Sequence, residues 1–463
     1  MDILTNFLST VSDFVWGPWM AGILLLTGLV LTLRMVFIQV RGFAHGVGIA
    51  TGKYDDPAHE GQLTHFQALS AALSATIGIG NIAGVAIAIY YGGPGALFWM
   101  WVTAAFGMAI KYSECSLAIK FRDVEPDGNV RGGPMYYIKL GMGKGWGWLA
   151  WLFSFFTAIA AFGTGNMVQS NTIAHSLVDA LNISPDSVGL TRWIVGIIVA
   201  AVVGTVIIGG IKRIGTVASY LVPFMSVVYC ISALIVLLLH VENILPAFEL
   251  IFHHAFNPTS VVGGSAAGAT VWMTFSWGLR RGLFSNEAGQ GSAAMAHGTA
   301  KVEEPVREGL VAMLGPFIDT IVICTMTGLV IISTGVWHCG LNGAPLTMHA
   351  FDTALPIYGR WMVVVGVLLF AFSTVIAWSY YGEKGIEYIG GKGSKVPYKW
   401  LYVLFVLLGA RFDLEAVWSY ADTANGLMAI PNLIALIALS GVVVKYTKKY
   451  MTEYKNGMHK PFR

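Results

Sequence analysis

Two short stretches of this chain put polar residues where chemistry can be done and where a lipid environment discourages them. The first is Ser74-Ala75-Thr76-Ile77-Gly78-Ile79-Gly80-Asn81, in the middle of Gly61–Ile110, which carries no Asp, Glu, Lys or Arg. The second runs from Met273-Thr274-Phe275-Ser276 through Gly278, Arg280, Arg281 and Gly282 to Glu287. A glycine-broken helix frees N–H groups at one half-helix end, where the macrodipole is positive and attracts a carboxylate. The other half ends in free carbonyls, which hold a cation or an ammonium. A free amino acid carries both charges, so the pattern suits a zwitterion. For the first stretch the competing explanation is close helix packing through small residues, which does not call for Asn81 or Thr76. Ionisable residues inside a span are costly and mark function. Arg280 and Arg281, paired with Glu287 or with Asp319 of the eighth span, are therefore candidates for an inner gate, or else the arginines face a cytoplasmic vestibule.

The frame that must hold these stretches is a membrane domain. Of 463 residues, 56% are hydrophobic and 11% charged, against roughly 25% charged in a soluble domain. That composition excludes a soluble enzyme, a disordered chain and a nucleic-acid binder, and a net charge of +3 implies no charged polymer as partner. Charge-free runs occupy Phe14–Leu33, Gly61–Ile110, Gly145–Val178, Trp193–Ile211, Ile214–Val241, Leu250–Leu279, Thr320–Phe351, Trp361–Gly382 and Thr423–Val444, with a weaker one at Trp400–Ala410. Split at glycine, proline and charge, they predict about eleven transmembrane helices of about 20 residues each. Nothing alternates with period two, so the fold class is an all-α integral membrane protein rather than a barrel.

With the N-terminus outside, 23 of the 28 lysines and arginines fall in inward loops or the C-terminal segment. The positive-inside rule then makes the C-terminus cytoplasmic. Asp2 and the lack of a basic leader argue against a cleavable signal. Ile3, Phe7, Leu8, Val11 and Phe14 recur at helical spacing and predict a helix on the outer surface. Cys115, Cys230, Cys324 and Cys339 are scattered and form neither a disulfide framework nor a metal site. The longest polar loops are about Gly42–Thr64 and Phe121–Tyr137. Lys111 and Glu114 read as a local pair at a cytoplasmic helix end.

The two interrupted spans are the second and the seventh, five apart. A repeat of five spans re-enters the membrane in the opposite orientation, and paired interrupted helices of inverted repeats mark a secondary transporter's midplane site. The same residues carry a resemblance. Phe66–Val85, Gly92–Gly107, Gly132–Tyr137, Gly165–Gln169 and Gly278–Gly289 resemble the signature blocks of the alanine/glycine:cation symporter family. The resemblance implies sodium-coupled, less often proton-coupled, import of alanine or glycine. It also implies the 5+5 inverted-repeat fold of the leucine transporter with one extra helix in front. On that basis a single transporter domain fills 1–463: a peripheral helix and extra span in 1–40, repeats in 62–241 and 262–446, and a cytoplasmic tail in 447–463. Expected are a multi-pass cell-membrane location, lipid and a small substrate as partners, Na⁺ as coupling ion with no other cofactor, and an oligomeric state that includes the monomer.

The resemblance also assigns site residues. The substrate carboxylate would meet the N–H groups of Ile79 and Gly80 beside Gly78 and Thr76. Na⁺ would sit between the carbonyls of Ser74 and Ile77 and the ninth span, which offers Phe370, Ser373 and Thr374. For those two hydroxyls the alternative is ordinary back-bonding within a helix. A second cation site would need Thr76, Asn81 and Thr274. The amino group would meet carbonyls of Met273, Thr274 and Ser276, with Phe275 beside them. Trp378, on the face of Thr374, would wall off the side chain, unless it is an interfacial tryptophan. Asn166 and Gln169 of the fourth span share a face, and one of them would replace a tyrosine hydroxyl of the leucine transporter. A channel would show a filter loop or a pore-lining ring, and an intramembrane enzyme a catalytic constellation; neither is visible. A proton-coupled antiporter would want a carboxylate at a break, for which Glu287 and Asp319 are the candidates.

Overall fold

The computed structural model describes residues 2–56, 58–126, 129–257, 270–459 and 461. Helix α1 (Asp2–Val15) packs along the last helix of the chain, and α2 (Pro18–Arg34) follows directly. The stretch expected as the polar loop Gly42–Thr64 contains a helix, α3 (Phe43–Ala50). Next comes α4 (His65–Thr76), whose start is fixed by a capping box: Gln67 N–H donates to the Thr64 hydroxyl, and Thr64 N–H donates to the Gln67 side chain. The helix stops at Ile77. A wide π-helical turn at Gly80–Gly84 leads into α5 (Val85–Gly92), which is bent 53° from α4. Gly93 takes φ 72°, which glycine adopts at little steric cost, and the chain folds back into α6 (Ala96–Lys120).

After a two-stranded ribbon pairing Asp123–Val124 with Val130–Arg131, the first half continues. It contains α7 (Gly147–Phe162), a π-helical turn Gly163–Met167, α8 (Val168–Ala180), α9 (Pro185–Ile207), α10 (Gly210–Leu239) and α11 (Ile244–Phe256). The second half has α12 (Val271–Asn286), α13 (Ala293–His297) and α14 (Pro305–Ala312). A π-helical turn Phe317–Cys324 then leads into α15 (Thr325–Ser333), α16 (Ala344–Ala354), α17 (Tyr358–Gly390), α18 (Lys395–Gly409) and α19 (Leu414–Lys455). Among the described residues, seven helices are long and apolar enough to cross a membrane, and the bent pair α4–α5 brings the number to eight. Burial is inverted relative to a water-soluble protein. Ile197, Ile198, Phe224 and Leu238 are exposed, whereas Asn81, Asn166, Asp319 and Ser373 are 0% exposed.

Two expectations need correction. The seventh span does not break near Thr274, because α12 is continuous through Met273, Thr274, Phe275 and Ser276. Its glycines serve packing: a Cβ on Gly278 would lie 2.5 Å from the Ala96 carbonyl oxygen of α6. The helix ends instead at Glu287, in the left-handed region at φ 56°, and the chain stays irregular until Ser292. Part of the segment expected as a cytoplasmic tail is helical. α19 runs on to Lys455, and Tyr450 Oη lies 2.8 Å from His45 Nε2 of α3. Burial, then the nearby Arg307, pushes the His45 imidazole down to about 4, so it is neutral in this contact. Lys111 and Glu114 are buried at 1% and 0% exposure, and Glu114 serves another helix break, as shown below. The expected start of the second repeat, residue 262, lies outside the described residues.

The α6–α12 contact generates a stability test. Gly278→Ala must push a methyl group into a backbone carbonyl, an overpacking of about 1–3 kcal/mol. Gly204→Ala, with its nearest neighbour at 3.9 Å, has room. Thermal unfolding in detergent should show a lowered Tm for the first variant and an unchanged one for the second.

Candidate functional site

The break between α4 and α5 exposes the carbonyl end of one half-helix to the ninth-span candidates on α17. Ser373 Oγ lies 3.2 Å from the Ser74 oxygen, 3.4 Å from that of Ile77 and 2.9 Å from that of Phe370. Thr374 Oγ1 lies 3.4 Å from the Ile77 oxygen and 3.0 Å from that of Phe370. The bonds to Phe370 are the back-bonding of the alternative account, and the approaches to α4 come in addition. A hydroxyl has one proton to donate. Two protons therefore face more carbonyl lone pairs than they can satisfy, and the surplus converges on one buried point. Such a cluster of oxygens suits a hard cation.

On the other side of the break, Gly78 N–H donates to Asn81 Oδ1 at 2.8 Å and Ile79 N–H donates to Gln169 Oε1 at 3.3 Å. The Gln169 amide oxygen thus occupies the donor expected to receive the substrate carboxylate. Of the two fourth-span amides it is Gln169 that reaches the break. Asn166 instead donates to the Tyr402 carbonyl on α18 at 2.7 Å. The Thr76 hydroxyl turns back to Ala72 and Leu73 at 3.3 Å each, so its side chain serves its own helix. Carbonyls freed by the π-helical turn are met by hydroxyls: Thr327 donates to Asn81 O at 2.7 Å and Thr347 to Ile82 O at 3.0 Å.

Trp378 is 0% exposed, which removes the interfacial alternative. It packs against Gly165 of the π-helical turn, where a Cβ has no room, and its indole N–H donates to Glu287 Oε1 at 2.8 Å. It thus stands between the fourth-span turn and the second break.

The second break is held almost entirely by side chains. Glu114 on α6 accepts from Gly291 N–H at 3.1 Å and from Asn432 Nδ2 at 2.6 Å. Asn432 also donates to Gly289 O at 2.8 Å, and Ser292 donates to Glu287 Oε2 at 2.5 Å. Asp319 joins both breaks. It accepts from Asn81 Nδ2 at 2.7 Å, from Ser285 Oγ at 2.8 Å and from Thr320 Oγ1 at 2.7 Å.

This geometry overturns two expectations. Thr274 does not join Thr76 and Asn81 in a second cation site; its hydroxyl donates to Gly92 O at 2.7 Å, at the far end of α5. Met273, Phe275 and Ser276 belong to the same end of α12 and likewise do not meet the break. Glu287 and Asp319 do not pair with the arginines. Arg281 forms a two-pronged pair with Asp422 of α19 at 2.5 and 3.3 Å, with its guanidinium 4.8 Å from the Trp418 ring centre. Arg280 pairs with Asp13 of α1 at 2.9 Å. Together these residues line a cavity of about 540 Å³ that reaches down to Ala83, just past the first break.

At the opposite end the two broken spans are tied together. Gln62 N–H donates to Thr299 O at 2.7 Å and Lys301 N–H to Leu63 O at 2.8 Å. Arg122 donates to the carbonyls of Ala300 and Val302 at 2.7 Å each. These contacts join the two broken spans at this end, while the cavity beside Arg281 and Asp422 lies at the α1 end.

Sequence reasoning missed Ser285, Glu114, Asn432 and Asp422. Glu114 and Asp422 lie just beyond charge-free runs and so read as loop or helix-end charges. Ser285 and Asn432 have types too common to stand out. A count of polar residues within each apolar stretch, rather than of charges, was the available signal.

The chain matches the Sodium:alanine symporter family over residues 1–463. It is 47% identical over 458 residues to the sodium/alanine symporter AgcS of Methanococcus maripaludis, covering 97% of this chain and 98% of that one. It is 36% identical to the amino-acid carrier protein AlsT of Bacillus subtilis, covering 99% and 94%. A solved structure of MhsT in complex with L-phenylalanine aligns with a TM-score of 0.60 at 14% identity, over 82% of this chain and 90% of that chain. That likeness establishes a leucine-transporter-like fold. The apolar helices, the two side-chain-held breaks and a match from end to end converge: this multi-pass membrane protein belongs to the sodium:alanine symporter family.

Proposed function

We propose that this protein imports a small neutral amino acid, alanine or glycine, together with Na⁺. The observation that carries the ion is the surplus of oxygens from Ser74, Ile77, Phe370, Ser373 and Thr374 around one buried point. The substrate carboxylate takes the Ile79 and Gly80 N–H groups by displacing Gln169. Its ammonium takes the carbonyls left at the end of α12, those of Phe284, Ser285 and Asn286, in place of the ones expected near Thr274. Gly80 supports this pairing, since a Cβ there would be 3.2 Å from Ser285 Cα. Trp378, held against Gly165, closes the side-chain end of the pocket in this reading and so favours a small side chain.

In this proposal about eleven helices cross the bilayer as two inverted five-helix repeats behind α2, following the resemblance and the charge distribution. The α1 end is outside and the Arg122 end cytoplasmic. Arg281, Asp422 and Trp418 then form an outer gate beneath the external cavity. Sodium stabilises the carbonyl end of α4, and that order at Ile77 carries over to the Ile79 N–H two residues away.

Purified protein in liposomes should concentrate labelled alanine under an inward Na⁺ gradient; uptake indifferent to Na⁺ overturns the ion assignment. Thr374→Ala removes one oxygen ligand, worth about 1–1.5 kcal/mol. The Na⁺ concentration for half-maximal uptake should rise about tenfold, and an unchanged value removes Thr374 from the site. Trp378→Ala should let leucine compete with alanine, whereas retained selectivity places the pocket wall elsewhere.

A further inference from the structure

A buried cluster outside the transport site joins these tied ends of the broken spans. The Glu308 carboxylate of α14 is 0% exposed and lies between two imidazoles, each 1% exposed. It meets His65 Nδ1 through one oxygen and His297 Nδ1 through the other, the latter at 2.5 Å. His65 is the first residue of α4, and His297 is the last residue of α13. One carboxylate thus holds the inner halves of both interrupted spans. With a carboxylate accepting, each Nδ1 carries its proton. His65 Nε2 is then left buried with no hydrogen-bond partner, and Asp55 Oδ1 is 3.9 Å away.

We infer that His65 is a proton-binding site, and that a proton taken on Nε2 from the Arg122 side locks this end of the protein shut. The imidazolium so formed lies between two carboxylates, Glu308 and Asp55, and the second one answers the charge that the orphaned nitrogen gains. Other groups facing the cluster are Arg307 on α14, Arg122 and Cys115 from the α6 side, and His297 itself. The two arginines oppose the added charge. Against them stands the direct contact to Glu308, with Asp55 on the other face. When the α4 and α13 ends part, His65 loses both carboxylates. Protonation therefore favours the closed form. By linkage the junction holds more firmly at low pH and loosens as pH rises. This inference rests on the transport proposal only in requiring that this end opens.

The test reads that opening without substrate or Na⁺. The Gln62 and Lys301 amides close the junction, so their hydrogen exchange reports it. After correction for intrinsic chemistry, their protection should fall with rising pH, by up to about tenfold per unit within the titration window. His65→Gln should abolish the pH dependence, and Asp55→Asn should move its midpoint to lower pH. Exchange in α9 and α10 serves as the folding control. Should the His65 variant not fold, the Asp55→Asn midpoint decides. Protection independent of pH in the unmodified protein, a pH dependence that survives His65→Gln, or an unmoved Asp55→Asn midpoint overturns the assignment. Failure of sodium-driven uptake with this pH dependence intact would instead overturn the transport proposal alone.

Discussion

Two helix breaks lie in the interior of this protein, and every N–H and C=O they release has to find a partner without bulk water. An unsatisfied backbone group in an apolar medium costs several kcal/mol. The rest of the structure is arranged around that demand. Glu114, Asn432 and Ser292 hold the second break, Thr327 and Thr347 cover carbonyls of the first, and Asp319 ties the two together. Groups that no such strut completes define the site: the carbonyls facing Ser373 and Thr374, and the Ile79 N–H occupied by Gln169. In the transport proposal a cation and a carboxylate complete the set, and the binding chemistry is the remainder of a hydrogen-bond account that the fold otherwise closes.

That arrangement explains why so few charges are needed. Backbone ends supply partial charges fixed by the helices themselves, and they carry no ionisable group to neutralise. The carboxylates that do enter the interior act as struts between segments. Asp319 receives three donors from its place in a π-helical turn, and Glu114 receives two where it reaches from α6 to the second break. The two ends of the molecule differ in kind. At the α1 end an arginine–aspartate pair stacked on Trp418 lies beneath an open cavity. At the other, backbone pairing and a histidine-flanked carboxylate join the two broken spans.

Much of the frame was legible in the sequence because it depends on period and charge. The all-helical, apolar character followed from charge-free runs, with seven or eight helices among the described residues long and apolar enough to cross a membrane. The break at Gly78–Asn81 followed from polar, glycine-rich residues in a place that otherwise wants leucine. The ninth-span hydroxyls came from the resemblance, and Ser373 and Thr374 lie against carbonyls of α4 and its end. The second break was misplaced by about a dozen residues, because glycine has two uses that a sequence cannot separate. Gly278 lets α12 lie against α6, whereas Gly289 and Gly291 adopt positive φ where the chain leaves the helix. The role of the arginines went wrong for the same reason: with the break set too early, Arg280 and Arg281 fell on the wrong side of it. Side-chain pairs such as Asn81–Asp319 join residues far apart in the chain, and no local pattern announces them.

The central claim is that ion and substrate share one broken segment, so that each orders it for the other. The direct measurement is alanine binding to the purified protein by calorimetry across a Na⁺ series, with the converse Na⁺ titration at fixed alanine. Alanine should bind more tightly as Na⁺ rises, and Na⁺ affinity should rise with alanine by the same factor, as linkage requires. Alanine affinity unchanged from sodium-free to saturating Na⁺ would contradict the account.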